Sequence, residues 1–151
     1  MQRRGVSGFT LLEVTAVMAV VALFAAILLP SLPWSTSRQR LGGYAVEAAA
    51  LLKADRVAAV QRSGMVSARV DAPGHTIRAG SSDRVLVIPP DVSFETLLPR
   101  TCNERPAHST ISFFATGGSC GGTIVLSRLG TGYEIRVNWL TGGVEIVPRQ
   151  S

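Results

Sequence analysis

Five side chains in this sequence have the type and setting to bear on chemistry: Cys102, Cys120, His75, His108 and Glu13. The cysteines form no CxxC pair, and the histidines do not stand at a zinc-ligand spacing, so a metal site lacks its roughly four ligands. A nucleophilic Cys120 with His108 as base is conceivable, but no convincing triad completes it. The stretch GGSCGG, residues 117–122, has Thr123 after its last glycine but no lysine, so it does not read as a phosphate-cradling loop. A nucleophile elbow would need a helix next, and "TIVLSR" reads as a strand. The duller reading is a flexible turn. No catalysis, metal or cofactor is expected. If the domain lies outside the cytosol, a Cys102–Cys120 disulfide is the better use of both thiols. It would close a loop of roughly eighteen residues and stabilise the fold by about 3 kcal/mol on the loop-entropy argument.

Glu13 raises a different question, because it sits at the edge of an apolar run. Arg3 and Arg4 precede it, and no charged residue follows from Val14 to Pro30. Phe9 to Leu29, as a helix rising about 1.5 Å per residue, would cross a hydrocarbon core with the arginines left on the cytoplasmic side. Three readings compete. A secretory signal peptide would be cut near Ala25 or Ala26, although the apolar stretch runs on to Leu29. A plain anchor would tolerate Glu13 close to the interface. In the third reading Glu13 pairs with a positive charge brought to the same depth.

The rest of the chain must build a domain to follow this segment. At 151 residues there is room for one compact domain plus an appendage. The net charge of +5, spread over scattered arginines and one lysine, reads as a solvated surface ahead of a nucleic-acid stripe. Pro30 and Pro33 interrupt the apolar run and predict a kink or a locally melted stretch, with Trp34 suited equally to a membrane–water boundary or to plain packing. From about Ser37 a helix resumes, with Leu41, Tyr44, Ala45, Ala48, Leu52 and Ala59 on one face and Gly42 and Gly43 weakening its start. Ser63 and Gly64 end it, with Arg56 and Arg62 near the last turns, where positive charge suits the helix dipole. Asp55, at the edge of the stripe, is expected to be paired or rim-exposed, with a subunit contact as the further alternative. Beyond Gly64 the pattern turns to strands: "MVSARVD", "HTIRAG", "RVLVI", "VSFETLL", "TISFFAT", "TIVLSR", "YEIRVNW" and "VEIV", with "RTCNERPAHS" as a polar loop. About eight short strands behind one long helix predict an α+β layout with mainly antiparallel pairing.

The junction "SG|FTLLEV", with Gly8, Phe9, Thr10, Leu11, Leu12, Glu13 and Val14, resembles the type IV prepilin family and its pseudopilin relatives. The resemblance implies cleavage between Gly8 and Phe9 by a prepilin peptidase, N-methylation of Phe9, and an apolar segment that stays on the mature protein. It thus divides the chain into a leader (1–8), a transmembrane and assembly helix (9–29), a helix continuation packing on the sheet (30–63) and a periplasmic β-domain (64–151). Cleavage would free a cationic amine four residues from Glu13. In a filament, the amine of one subunit can approach the glutamate of its neighbour. At about 4 Å such a pair gains ~1 kcal/mol in water and ~4 kcal/mol at an effective dielectric of 20. Glu13 would then act as a register key, penalising helices that slide past one another.

The far end, a glycine-rich turn before "TIVLSR" and then "YEIRVNWLTGGVEIV" as a terminal hairpin, is similar to the GspH/FimT group of minor pseudopilins and minor pilins. That resemblance implies a pilin-like fold and other minor and major pseudopilins as partners. It also implies a single-pass location in the bacterial inner membrane with the C-terminal domain in the periplasm. The expected role is a structural subunit of the type II secretion pseudopilus. The alternative is a FimT-like minor pilin of type IV pili, working in pilus assembly or in DNA uptake through Arg128, Arg136 and Arg149. Glu134 and Glu145 dilute that basic patch, so nucleic acid is not the expected partner.

Overall fold

The computed structural model describes residues 10–28 and 36–150, in two compact units, Met1–Trp34 and Ser35–Ser151. The described part of the first unit is a helix, α1 (Leu11–Leu28). The Thr10 carbonyl opens it, accepting from the amides of Glu13 (3.0 Å) and Val14 (3.2 Å). Every residue from Thr10 to Ala25 is exposed, Leu11 at 82%. A helix apolar nearly all round, with its described side chains exposed, calls for an apolar surrounding. Its 18 residues make about 27 Å, a little short of a hydrocarbon core of about 30 Å. Among the described residues no helix is long and apolar enough to cross a membrane. The kink expected at Pro30 and Pro33 and the boundary position of Trp34 lie outside the described residues.

The second unit opens with α2 (Arg38–Gln61). Ser37, in extended conformation, caps it by accepting from the Arg40 amide at 3.2 Å. At the other end Ser63, at φ 50°, takes the left-handed position that glycine usually supplies, and the Gly64 amide reaches back to the Ala59 carbonyl. Leu41, Ala45, Ala48, Leu52 and Ala59 of the expected stripe are buried, with Tyr44 half-buried. Ala49, Leu51 and Asp55 join them. Gly42 has a packing reason as well: a Cβ there would lie 3.3 Å from the Tyr133 hydroxyl.

Ten strands follow: β1 (Val66–Asp71), β2 (Thr76–Arg78), β3 (Val85–Val87), β4 (Ser93–Leu97), β5 (Thr101–Cys102), β6 (Arg105–Pro106), β7 (Thr110–Phe113), β8 (Gly122–Arg128), β9 (Thr131–Val137) and β10 (Val144–Gln150). They form two four-stranded antiparallel sheets, ordered β3-β2-β1-β7 and β10-β9-β8-β4, and a separate β5-β6 hairpin. α2 packs on β1 and β7 of one sheet and on β8, β9 and β10 of the other. Between them Phe113, Leu41, Leu52, Ile77, Ile111, Ile124, Leu126 and Ile135 are fully buried. The architecture is thus α+β, a helix on antiparallel sheets.

Three details differ from the sequence reading. The polar loop contains the β5-β6 hairpin, because Asn103 and Glu104 take φ of 49° and 62°, a two-residue turn of the kind that suits strand twist without any glycine to announce it. Asp55 is not at a rim: it is fully buried and accepts from the Gly80 amide (2.8 Å), the Ser81 amide (2.9 Å) and the Ser81 hydroxyl. Arg56 and Arg62 reach away from their own helix end. Arg56 Nε donates to the carbonyls of Gly117 (3.0 Å) and Thr141 (3.1 Å), and Arg62 to that of Ser81 (3.1 Å).

Candidate functional site: the N-terminal charge and the surface of the β-unit

Glu13 is the third residue of α1 and fully in its first turn, where a carboxylate favours the positive end of the helix dipole. Thr10-Leu-Leu-Glu13 has the spacing of a capping box, but only the Thr10 carbonyl bonds the Glu13 amide, and neither reciprocal side-chain bond is formed among the described residues. Its side chain is exposed, and no cation among the described residues pairs with it. Gly8 and Phe9, the expected cleavage and methylation sites, lie outside the described residues.

On the β-unit the structure separates the three arginines of the DNA reading. Arg128 lies on the inner side of its sheet, with Leu126. Its Nη1 donates to the Thr36 carbonyl (2.6 Å) and its Nε meets Asp91 at 3.0 Å. Asp91 in turn accepts from the Thr36 amide (2.7 Å) and hydroxyl (2.9 Å). Those two Thr36 bonds, with Arg128 adding attraction, hold the Asp91 carboxyl below the usual carboxylate range against the opposing effect of desolvation. This three-residue clamp pins the start of α2 to the sheet, so Arg128 is a structural cation.

Arg136 and Arg149 do share the outer face of the β10-β9-β8-β4 sheet, but with carboxylates among them. Arg136 forms a two-bond fork with Glu134 (2.8 and 3.0 Å) and stands opposite Glu145 in register. The fork depresses the Glu134 carboxyl and raises the Arg136 guanidinium, and Arg149 pulls Glu134 down a little further. A face of alternating sign offers little to a polyphosphate backbone.

Cys102 of β5 and Cys120 are joined in a disulfide with Cα atoms 5.6 Å apart, so Cys120 is no free nucleophile. The glycine-rich stretch is tied down rather than flexible. The Ser119 amide donates to the Trp139 carbonyl (3.0 Å), the Cys120 amide to Ser112 (3.0 Å), and the Ser119 hydroxyl to Asn138 (3.1 Å). His108 is exposed, while His75 stands edge-on to Phe94 at 5.9 Å; no cluster among the described residues is suited to hold a metal.

Sequence reasoning passed over the turn between β9 and β10. Trp139 and Leu140 protrude there at 68% and 67% exposure. The turn beneath them is internally bonded: Asn138 Oδ1 accepts from the amides of Leu140 (2.9 Å) and Thr141 (3.0 Å), and the Asn138 carbonyl from Gly142 (2.9 Å). An aromatic and an aliphatic side chain thus stand exposed on a pre-organised turn. The only sequence signal was an apolar pair between two turn residues.

Residues 3–29 match the family described as the prokaryotic N-terminal methylation motif. No curated protein sequence matches the chain. Among solved structures, the minor pseudopilin EpsH from the type 2 secretion system of Vibrio cholerae is similar at a TM-score of 0.55 and 8% identity, covering 71% of this chain and 95% of that one. The type IV minor pilin FimU of Pseudomonas aeruginosa strain PAO1 is similar at 0.52 and 17% identity, covering 75% and 92%; a second crystal form of it gives 0.50 and 16%. At these identities the likeness is one of fold. The chain therefore joins a prepilin-type N-terminal methylation motif to a β-unit with the fold of GspH/FimT-like minor pseudopilins and pilins.

Proposed function

We propose that this protein is a minor pseudopilin of a type II secretion system, a structural subunit of a periplasmic pseudopilus that helps move folded proteins across the outer membrane. One observation carries the reading: a methylation motif leading an apolar, exposed helix is followed by a unit with the fold of EpsH. In this reading a prepilin peptidase cuts between Gly8 and Phe9, Phe9 is N-methylated, and the helix anchors the chain in the inner membrane until assembly. Glu13 then pairs with the Phe9 amine of a neighbouring subunit. Burying α1 among other apolar helices supplies the drive for assembly, and an unpaired carboxylate there would oppose any wrong register. The other minor and major pseudopilins are the partners, and the mechanism is mechanical rather than enzymatic.

The FimU likeness favours a second reading, a minor subunit of a type IV pilus. Its DNA-uptake form loses support from the ion pairs of Arg128 and Arg136. Two measurements test the primary reading. N-terminal sequencing of the mature protein should begin at methylated Phe9, and Gly8→Val should leave a heavier, uncut chain. Glu13→Ala should leave the β-unit folded and the protein membrane-bound while co-purification with other pseudopilins falls; undiminished incorporation refutes the register role. Co-purification with pilus subunits in place of secretion subunits would select the second reading.

A further inference from the structure

On the outer face of the β3-β2-β1-β7 sheet two arginines stand directly opposite one another. Arg69 of β1 is in register with Arg78 of β2, and both are exposed. Neither belongs to an ion pair among the described residues. Like charges in this position repel and weaken a sheet. The same row runs on to Val85 of β3, and the next row ends on Val87. These valines are exposed at 39% and 62%.

β3 is also the outermost strand of its sheet. Its inward bonds decide which groups remain. The Ala79 amide donates to Arg84 (2.9 Å) and the Ile88 amide to His75 (2.8 Å), with Leu86 opposite Ile77 between them. Residues 84, 86 and 88 therefore bond towards β2, and the N–H and C=O groups of Val85 and Val87 point to the open edge. Pro89 and Pro90 stop the strand directly beyond, a restraint on indiscriminate pairing.

We propose that this edge takes up an extended acidic segment of a partner protein as an added strand, with its carboxylates drawn to Arg78 and Arg69. Main-chain bonds at Val85 and Val87 hold the added strand, and its alternate side chains stand beside the two valines on the outer face. Strands lie about 4.8 Å apart, so the newcomer runs roughly 10 Å from Arg78 and roughly 14 Å from Arg69. A long arginine and a glutamate together span the first gap across Val85, and Arg69 adds longer-range attraction. The like-charged pair, unfavourable in the free chain, becomes the attraction. Nucleic acid fits this face less well: the rows Thr110–Arg69–Arg78–Val85 and Asp71–Thr76–Val87 offer no aromatic ring for a base to stack on, and Asp71 adds a carboxylate.

The test titrates the full chain in detergent micelles with a fluorescein-labelled peptide of alternating valine and glutamate. Comparison ligands are the valine–lysine counterpart and an oligothymidylate. The acidic peptide should bind roughly ten-fold or more tightly than the basic one. Arg69→Glu with Arg78→Glu should reverse that preference, and Val87→Pro should abolish binding by removing an edge donor that β2 does not use. Circular dichroism checks the fold of each variant. Should the reversal variant fail to fold, Arg69→Gln with Arg78→Gln should erase the preference for glutamate. No binding of the acidic peptide, or binding indifferent to Val87→Pro or to the arginine changes, overturns the proposal. So does an oligothymidylate that binds more tightly and is lost on charge reversal, which would assign the face to a polyanion.

Discussion

Replacing Asp55 with alanine tests the packing logic of the β-unit most directly. The carboxylate is fully buried and is met by three donors from one loop, the amides of Gly80 and Ser81 and the Ser81 hydroxyl, 25 or 26 residues along the chain. Hydrogen bonds to a charged group contribute about 1.5–3 kcal/mol each, and a buried donor left without a partner costs about 1–3 kcal/mol. Loop relaxation and water will recover part of this, so Asp55→Ala should lose about 3–5 kcal/mol. Against a typical total of about 5–15 kcal/mol, that is a large fraction. Asp55→Asn keeps an acceptor oxygen but turns an NH2 towards donors, and should lose about 2 kcal/mol. The assay is equilibrium urea unfolding of the full chain in micelles, followed by far-ultraviolet circular dichroism. A lowered midpoint with an unchanged slope is the expected result. If Asp55→Ala unfolds within about 1 kcal/mol of the parent, the three bonds do not offset the burial of the charge and the reasoning fails. The consequence reaches the surface, because Ser81 also receives Arg62 and the loop leads into β3. A loosened Asp55 anchor should therefore raise amide exchange at Val85 and Val87 before it unfolds the unit.

The Asp91 clamp predicts an acid response: its carboxyl is held below the ordinary value of 3.8, so its stabilising contribution is fully present above that pH and fades as pH falls through the lower native value. Asp91→Asn should flatten this part of a pH-stability curve measured between pH 5 and 2, and an unchanged curve would refute the clamp. Cys120→Ser should cost about 3 kcal/mol and free the β5-β6 hairpin; a midpoint equal to that of the parent under oxidising conditions would show that the bridge contributes nothing. Gly142 sits at φ 63° with the Gly117 carbonyl and the Arg56 side chain where a Cβ would go. Gly142→Val should therefore destabilise by about 2 kcal/mol or more and weaken the Arg56 contacts, whereas retention of the parental Tm would place the strain elsewhere.

Much of this molecule was legible from residues close together in the chain. The alanine–leucine stripe of α2, its start near Ser37, its stop at Ser63-Gly64 and the terminal hairpin all follow from rules spanning three to seven residues. The motif around Phe9 and Glu13 is likewise local, and a matching of residues 3–29 finds it without any fold. Partnerships across the chain were not legible. Arg128 meets Thr36 over 92 residues and Arg56 meets Thr141 over 85, and no periodicity encodes which carbonyl a long cation will find. Composition gave no way to see that Asp55 would be buried, since its compensating donors are backbone amides that every sequence possesses. Register decides the remainder. Only the pairing of β1 with β2 sets Arg69 beside Arg78, because a shift of one residue would have turned one of them to the opposite face.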